Sequence, residues 1–332
     1  MLLEFDADQR LWQETVRDAV SKQCPASLIR DIAENGVDST PLWQSYLDAG
    51  WTELTDPENA VELAIVLEEL GRATDPTPFL ATLSQFAPLV GDRFDPRSAG
   101  ATVYSGVTAV RDAHGWILTG TDRFVLDGDR AQRLAVVTAA GVFLVTADQV
   151  VTRRVDTFDP ALHVAEVSFG GVRVADAERL SADTERAHHV ALMGMSITMV
   201  GACQRILDLA VEHAKSRQQF GVAIGTFQAI QHKATDMFIA IERARALAYF
   251  SALTIAGDDS RRRLAAAMAK AAAGECQALV FKHGLQTFGA MGFTWENDLQ
   301  FALKRAKAGE LMLGGAAEHR ATIAEEFHAA DL

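Results

Sequence analysis

The sequence predicts an α+β fold in which a helical segment, a strand-rich segment and a second helical segment follow one another. All eight prolines lie at or before Pro160. Because proline breaks helices, the alanine-rich remainder of the chain is free to be helical. Strand-like runs cluster in the middle of the chain and do not alternate with helices, which disfavours a parallel βαβ sheet. We expect three domains, at residues 1–95, 96–180 and 181–332.

The N-terminal segment has helix start and stop signals. Asp6 and Asp8 open one stretch with acidic side chains, which the positive end of a helix dipole favours. The stretch Val61–Leu70 repeats leucine at helical spacing. Pro76 and Pro78 follow it and predict the end of the helical segment.

The middle segment changes to short runs rich in β-branched residues and bounded by glycine or aspartate. Such runs are typical of strands separated by turns. They predict a small antiparallel sheet or barrel. The four clearest runs are Trp116–Thr121, Arg133–Thr138, Gly141–Thr146 and Val164–Phe169.

The C-terminal segment repeats apolar residues at three- and four-residue spacing, which is typical of packed helices. We expect a helical bundle, and we expect one of its apolar faces to contact a partner chain. That face runs through Ile230, Met237, Ile241 and Ala248.

Composition excludes several classes of function. The formal net charge of −13 opposes binding to nucleic acid or to an anionic membrane. We find no export leader and no uninterrupted apolar run near the ~20 residues of a membrane span, so we expect a cytoplasmic protein. The cysteines and histidines lack metal-ligand spacing, so we expect reduced thiols and no metal site. These residues are Cys24, Cys203, Cys276, His188, His189 and His232.

Two motifs in the C-terminal segment carry a specific resemblance. The first is Arg217-Gln-Gln-Phe220-Gly221, followed by Gln228, and the second is Gln286-Thr-Phe-Gly-Ala290, followed by Gly-Phe-Thr-Trp-Glu-Asn-Asp. In this order, with the helix–strand–helix arrangement, they resemble the acyl-CoA dehydrogenase superfamily over nearly the whole chain. The resemblance implies an N-terminal helical domain, a small middle β-domain and a C-terminal four-helix bundle.

The resemblance also implies FAD contacts. Its first motif places an arginine on the pyrophosphate of the FAD of a neighbouring subunit, here Arg217, and arginine suits this role because its forked donors match phosphate. The second motif holds the adenine side of FAD, and Ala290 replaces its second glycine. The implied cofactor-binding residues are Arg217, Phe220, Gln228, Gln286, Thr287, Gly289 and Ala290.

The catalytic base of the family is missing at both of its usual positions. An acyl-CoA dehydrogenase needs a carboxylate to remove the α-proton of the thioester. The aligned positions hold Leu313 and Ala191, and neither side chain can accept a proton. On the flavin-ring side, Leu126 stands where members carry a hydroxyl, and the substrate-side loop is shortened to Asp56–Val61.

These losses resemble the shorter subunit of heteromeric acyl-CoA dehydrogenases that act on steroid-derived thioesters. The implied function is a subunit that completes the FAD site of a longer, base-carrying partner in an α2β2 enzyme acting on a bulky acyl-CoA. A self-sufficient homo-oligomer with a displaced base such as Glu310 or Glu318, and a scaffold without FAD, are the alternatives.

Overall fold

The computed structural model describes residues 4–327. The chain forms two compact units. Unit 1 comprises Met1–Val37, Pro57–Asp75 and Leu192–Leu332, and unit 2 comprises Asp38–Asp56 and Pro76–Ala191. The division into three domains with boundaries at residues 95 and 180 stays a prediction.

Unit 1 is almost entirely helical. One long helix, α6, begins within unit 2 and continues through unit 1. Between α6 and α7, β9 (Gln218–Gln219) and β10 (Val222–Ala223) pair as a two-stranded antiparallel hairpin. The helices are α1 (Ala7–Gln23), α2 (Ala26–Asn35), α4 (Ala60–Ala73), α6 (Thr184–Ser216), α7 (Gln228–Ala256), α8 (Arg262–Phe288), α9 (Leu299–Leu311) and α10 (Ala316–Glu326).

Helix α1 begins where its acidic residues predict. The side chain of Asp6 accepts a hydrogen bond from the backbone N–H of Gln9, and the side chain of Gln9 accepts one from the backbone N–H of Asp6. This reciprocal capping box satisfies two donors that a helix start leaves unpaired. The prediction of a helix beginning at Asp6 is therefore confirmed.

Helices α4 and α6 approach until their backbones touch. A Cβ atom on Gly71 would lie 2.2 Å from the carbonyl oxygen of Thr198, and one on Gly201 would lie 2.0 Å from that of Glu68. Only glycine permits this spacing, since any side chain would force the helices apart.

A buried carboxylate lies at this crossing. Glu68 is 5% exposed. Its Oε1 accepts a hydrogen bond from Arg245 Nε at 2.7 Å, and its Oε2 accepts one from the hydroxyl of Tyr249 at 2.8 Å. Arg245 also donates to Gln204 Oε1 at 2.8 Å. The network joins α4, α6 and α7.

The apolar face of α7 that we expect to contact a partner is instead inside the bundle. Met237, Ile241 and Ala248 are 1%, 0% and 0% exposed, and Ile230 at the start of the helix is half-buried. That expectation is wrong because helical periodicity identifies an apolar face but not the surface that covers it, and here the chain's own helices cover it. Phe238 and Ile239 are the exposed apolar residues of this helix.

Unit 2 contains two four-stranded sheets and two short helices, α3 (Thr40–Asp48) and α5 (Ala87–Val90). One sheet has the order β1-β4-β5-β8 and the other β2-β3-β7-β6. The strands are β1 (Gly100–Val103), β2 (Val107–Asp112), β3 (Gly115–Leu126), β4 (Arg133–Thr138), β5 (Gly141–Thr146), β6 (Val151–Arg154), β7 (Val164–Val174) and β8 (Arg179–Leu180).

All four predicted strand runs lie in strands, namely β3, β4, β5 and β7. The pairing is antiparallel except that β1 pairs with β4 in parallel. Alternate residues of β4 belong to different cores: Leu134 and Val136 belong to the core shared by the two sheets, whereas Ala135 packs in a second core with Phe86. A strand's two-residue side-chain period produces this alternation.

Two helical stretches, Thr184–Ser216 and Arg262–Phe293, are long and apolar enough to cross a membrane by length and composition alone. Within them, 83% and 67% of the most apolar window is buried inside the chain, as expected for core helices of a bundle. The three cysteines are free and buried, as predicted. Across residues 4–327, no group of three or more His, Cys, Asp or Glu side chains could hold a metal ion.

We predict that Arg245→Leu strongly destabilises the protein, because it leaves the buried Glu68 carboxylate without its cation. Such a loss costs ~3–5 kcal/mol. Tyr249→Phe removes one hydrogen bond to the same carboxylate and costs about 1.5–3 kcal/mol. Urea unfolding measures the free energy of unfolding of wild type and variants. A decrease below ~1 kcal/mol for Arg245→Leu would show that the network does not stabilise unit 1.

Candidate functional site

The first motif begins where α6 ends. Arg217 follows the last residue of that helix, and its backbone N–H donates to the carbonyl of His213 at 2.8 Å. The carbonyl of Arg217 accepts a hydrogen bond from Ile224 N–H at 2.8 Å. Arg217 is therefore held at the base of the hairpin formed by β9 and β10.

The hairpin turn consists of Phe220 and Gly221, which have φ angles of 56° and 83°. Two successive positive φ angles are typical of the tight turn that matches the twist of a hairpin. Phe220 is 92% exposed, and its ring lies edge-on to that of Phe227 at 6.1 Å between centroids. The turn thus presents a large apolar side chain at the surface.

The guanidinium of Arg217 is exposed and forms no hydrogen bond or ion pair with any residue of the described chain, 4–327. An arginine that pairs with nothing in its own chain is available to an external anion, and its forked donors match a phosphate. This is the chemistry that the motif predicts.

The structure brings the two motifs together. The imidazole of His213, one turn before Arg217, stacks on the ring of Phe288 at 4.2 Å between centroids and 14° between planes. Burial, and then the charge of Arg217, lower the pKa of His213. The end of α6 and the end of α8 are therefore neighbours.

A cavity of about 170 Å³ lies at this junction. Its walls come from the ends of α6 and α8, the loop after the hairpin and the start of α7. They include Ala214, Lys215, Gly225, Gln231 and Thr287. Thr287 of the second motif therefore shares one concave surface with residues that flank the first motif on both sides.

The remaining predicted cofactor residues differ in exposure. Gln228 and Gln286 are exposed, whereas Thr287 is buried and donates to the carbonyl of His283 at 2.8 Å. Gly289 ends α8 with φ 60° and ψ −138°, a conformation that requires glycine. Ala290 lies in the following 3-10 turn without a positive φ, so its backbone has no need of glycine.

Both positions where the resemblance implies a base hold apolar side chains. Ala191 is 0% exposed within α6. Leu313 lies in the loop between α9 and α10 with φ 56°, a left-handed conformation rare for leucine.

Three side chains hold the loop that contains Leu313. His319 Nε2 donates to the carbonyl of Leu313 at 2.8 Å, and Lys270 Nζ donates to that of Gly314 at 2.6 Å. Glu310 Oε1 accepts a hydrogen bond from the backbone N–H of Ala316 at 3.0 Å and so caps α10. Sequence reasoning missed this clamp, because a lysine in an alanine-rich helix and a histidine in a charged one give no sign of it.

Comparison with known proteins agrees with this geometry. Residues 184–328 match the family described as acyl-CoA dehydrogenase, C-terminal domain. The chain is 31% identical over 317 residues to "Acyl-CoA dehydrogenase IpdE2" of Mycolicibacterium smegmatis, covering 92% of this chain and 94% of that protein. The chain belongs to the acyl-CoA dehydrogenase family. Family membership implies FAD-dependent oxidoreductase chemistry.

Solved structures confirm the acyl-CoA dehydrogenase fold. The chain resembles one in the ChsE4-ChsE5 complex from Mycobacterium tuberculosis, with a TM-score of 0.88 and 21% identity over 99% of both chains. It also resembles one in the Tcur3481-Tcur3483 steroid ACAD G363A variant, with a TM-score of 0.85 and 24% identity over 98% of both chains. At these identities the likeness shows the fold alone.

In unit 2 of this family member, Leu126 is followed by a loop whose charged side chains pair within the chain, although Asp129 Oδ1 and Arg130 Nε are buried without a hydrogen-bond partner among residues 4–327. Leu126 is 5% exposed at the end of β3, and the next residue, Asp127, is ion-paired with Arg130. Arg130 also donates to Ser39 Oγ at 3.0 Å. Burial raises the pKa of Asp127 despite its cation.

A second pair closes the same loop. Asp129 Oδ2 and His163 Nδ1 are 2.9 Å apart. Burial alone would raise the pKa of Asp129, but the hydrogen bond from His163, together with the charges of His163 and Arg130, lowers it. The charged side chains of this loop therefore pair with residues of the same chain, and Leu126 offers no side-chain hydroxyl.

We predict that Lys270 makes stability depend on pH. Burial lowers its pKa from 10.5 to about 8, while Glu310 and Glu318 oppose the shift. Between these two values the unfolded chain binds a proton at Lys270 that the folded chain does not, so stability rises with pH. As pH falls from about 10 through 8, that stability is lost.

The Lys270→Met variant should lack this dependence. Urea unfolding of both proteins from pH 7.5 to 10 measures it: the free energy of unfolding of the wild type should rise relative to that of the variant. Parallel curves across this range would contradict the prediction.

Proposed function

We propose that this chain is the base-lacking subunit of a heteromeric acyl-CoA dehydrogenase. It completes the FAD site of a longer partner, and the enzyme oxidises a bulky acyl-CoA thioester to its α,β-unsaturated form. The observation that carries the proposal is the contrast between the unpaired Arg217 of the first motif and the apolar residues Leu313 and Ala191 at the base positions.

The retained motifs suit the adenine and pyrophosphate side of FAD. Arg217 offers an unpaired guanidinium to the two phosphates, and the stacked His213 and Phe288 hold the second motif beside it. Gln228 and Gln286 are exposed, so their amides are available to the cofactor. The donor set therefore fits half of the FAD molecule.

The chemistry requires groups that this chain does not offer at the family positions. FAD, when bound, supplies the acceptor for the hydride that leaves the β-carbon of the thioester. The α-proton must go to a carboxylate, and alanine and leucine side chains cannot take it. We infer that the partner supplies the base.

The residues at the family's flavin-ring position also favour a ring bound by the partner. The backbone at Leu126 leads into a loop whose charged side chains, Asp127, Asp129 and Arg130, are already paired with one another or with His163. A flavin ring would find no hydroxyl at Leu126. The ring is therefore expected to bind in the partner.

The comparisons support the heteromer and the substrate class. The ChsE4-ChsE5 complex and the Tcur3481-Tcur3483 pair are two-component assemblies by name, and the second is called a steroid ACAD. We propose by analogy an α2β2 enzyme acting on a steroid-derived or similarly bulky thioester, located in the cytoplasm. The exposed Phe220, Phe238, Ile239 and Phe293 give unit 1 apolar surface for the partner.

One observation favours the alternative of a self-sufficient enzyme. Glu310 Oε2 is buried without a hydrogen-bond partner among the described residues, as a displaced base could be. However, Oε1 of the same carboxylate caps α10, and a Cβ atom on Gly274 would lie 2.2 Å from Oε2. The carboxylate is thus enclosed by its own chain, which favours a structural role.

The colour of the purified protein distinguishes three hypotheses: the subunit of a heteromer, the self-sufficient enzyme and the scaffold without FAD. A chain that is colourless alone and yellow with its partner supports the proposal. Yellow protein purified alone supports the self-sufficient enzyme, and protein that is colourless in both preparations supports the scaffold.

We predict that Arg217→Ala lowers the FAD content of the assembled complex. Loss of a cation hydrogen-bonded to phosphate costs ~1.5–3 kcal/mol, or roughly ten- to hundredfold in affinity. Arg217→Lys should lie between wild type and Arg217→Ala, because an ammonium is a point charge without forked donors. Flavin absorbance after extensive dialysis measures the occupancy.

Arg263→Ala is the matched control. Arg263 lies in α8, its side chain is 53% exposed, and its ion pair with Glu326 is long at 3.7 Å. Occupancy that falls equally in both variants, or in neither, would show that Arg217 has no particular role in holding FAD.

We predict that Glu310→Gln leaves the turnover of the partnered enzyme within a few-fold of wild type. Glutamine keeps an oxygen that can cap α10, so the fold should tolerate the change. If Glu310 were the general base, its loss would lower the rate by ~10²–10⁴. Single-turnover flavin reduction by an acyl-CoA substrate measures it. A loss of a hundredfold with FAD still bound would make Glu310 the base and favour the self-sufficient enzyme.

A further inference from the structure

Unit 1 also contains a larger cavity, of about 410 Å³, which the proposed function does not use. Its walls come from α1, α2, the end of α4, the middle of α6 and the start of α9. A volume of this size is typical of sites for small organic molecules. Arg205, the wall residue from α6, precedes Arg217 by 12 residues, which is about 18 Å along a helix. The cavity is therefore separate from the junction of the two motifs.

The cavity combines apolar and charged walls. Val20, Ile29 and Phe301 line it and are buried. Arg17 and Asp18 also line it, and both are exposed, so a molecule can enter from solvent. Such walls suit a molecule with an apolar body and a charged end.

Two arginines of the cavity already have carboxylate partners. Arg17 Nη2 donates to Oε1 of Glu69, itself a wall residue, at 2.7 Å. Arg72 Nη2 donates to Asp208 Oδ2 at 2.6 Å. Neither guanidinium therefore lacks a counter-charge.

The remaining acidic wall residues are Asp18 and Asp298. Asp298 Oδ1 accepts a hydrogen bond from Arg30 Nη2 at 2.6 Å, and this ion pair balances its charge. Asp18 is exposed, so solvent and salt screen its charge. These two carboxylates therefore repel an entering anion only weakly.

Arg205 differs from the other charged walls. It is half-buried, and across residues 4–327 its guanidinium forms no hydrogen bond or ion pair. The next residues of α6, Ile206 and Leu207, are buried. A partly desolvated cation without a counter-charge destabilises a protein, and leucine at this helical position would avoid that loss at no cost in helix propensity. An anion that enters the cavity would offset the loss.

The start of α2 favours the same sign of charge. Pro25 and Ala26 line the cavity, and no side chain caps this helix start. The first N–H groups of a helix and the positive end of its dipole stabilise a nearby anion. An uncapped helix start is not a site by itself, but this one borders the cavity that Arg205 lines.

We propose that this cavity binds a small carboxylate with an apolar body, and that Arg205 holds the carboxylate. The forked donors of a guanidinium match the two oxygens of a carboxylate, and the buried apolar walls match the body. The site lies within this chain and depends on neither FAD nor a partner. A bound ligand would stabilise the folded chain by mass action.

The test uses the full chain. The probes are 3-cyclohexylpropanoate, its uncharged analogue 3-cyclohexylpropanamide, and inorganic phosphate, which has the charge without the apolar body. Calorimetry measures the Kd of each probe for wild type, Arg205→Leu and Arg205→Lys. The Tm of each protein is measured without ligand.

We expect wild type to bind the carboxylate at least about tenfold more tightly than the amide or phosphate. Arg205→Leu should bind the carboxylate about tenfold more weakly than wild type, because it loses charge-assisted hydrogen bonds. Arg205→Lys should lie between them, since an ammonium keeps the charge without the fork. Without ligand, the Tm of Arg205→Leu should equal or exceed that of wild type, because the guanidinium has no partner to lose.

Two further variants complete the test. Arg263→Leu removes an arginine that is not a wall of the cavity and should leave the Kd unchanged. Ala26→Leu narrows the cavity and keeps Arg205, so it should weaken binding of the carboxylate. If Arg205→Leu does not fold, Arg205→Gln takes its place.

Several results would overturn the inference without touching the proposed function, which flavin content tests separately. Equal affinity of wild type for the acid and the amide would remove the role of charge. Equal weakening in Arg205→Leu and Arg263→Leu would make the effect one of net charge only. Phosphate bound as tightly as the carboxylate would contradict the apolar body. A lower Tm for Arg205→Leu, with no carboxylate bound by wild type, would make Arg205 structural only.

Discussion

The helical arrangement of unit 1 depends on the hydrogen bonds and ion pair of the buried Glu68 carboxylate. It sits where α4 and α6 touch through glycine, and it is held by Arg245 and Tyr249 from α7. Arg245 bonds Gln204 of α6 as well. Helices α6 and α7 flank the hairpin that begins at Arg217, so this network joins the two helices between which the first motif lies.

The proposed function follows from which charges the chain pairs and which it leaves unpaired. In the loop after Leu126, Asp127 pairs with Arg130 and Asp129 pairs with His163. Arg217, in contrast, is exposed and meets no anion of the described chain. In a protein with a net charge of −13, an exposed arginine without an anionic partner is a specific place for an anion. The chain therefore pairs the charged side chains of the loop after Leu126 and leaves the guanidinium of Arg217 open to an external anion.

The sequence predicted the fold and the motifs better than their surroundings. Strand runs and the cap at Asp6 depend on local patterns, which a sequence displays directly. The α7 face through Met237 was misassigned because its partner is another part of the same chain. The clamp of Lys270 on Gly314 depends on a contact between distant segments, which no local pattern encodes.

The intact mass and flavin content of the co-expressed assembly test the central claim most directly. Because FAD would bind the pair better than either chain, added cofactor should stabilise the heteromer and hardly affect this chain alone. Native mass spectrometry should find an α2β2 assembly with one FAD per αβ pair. A homotetramer of this chain carrying one FAD per protomer would contradict the account.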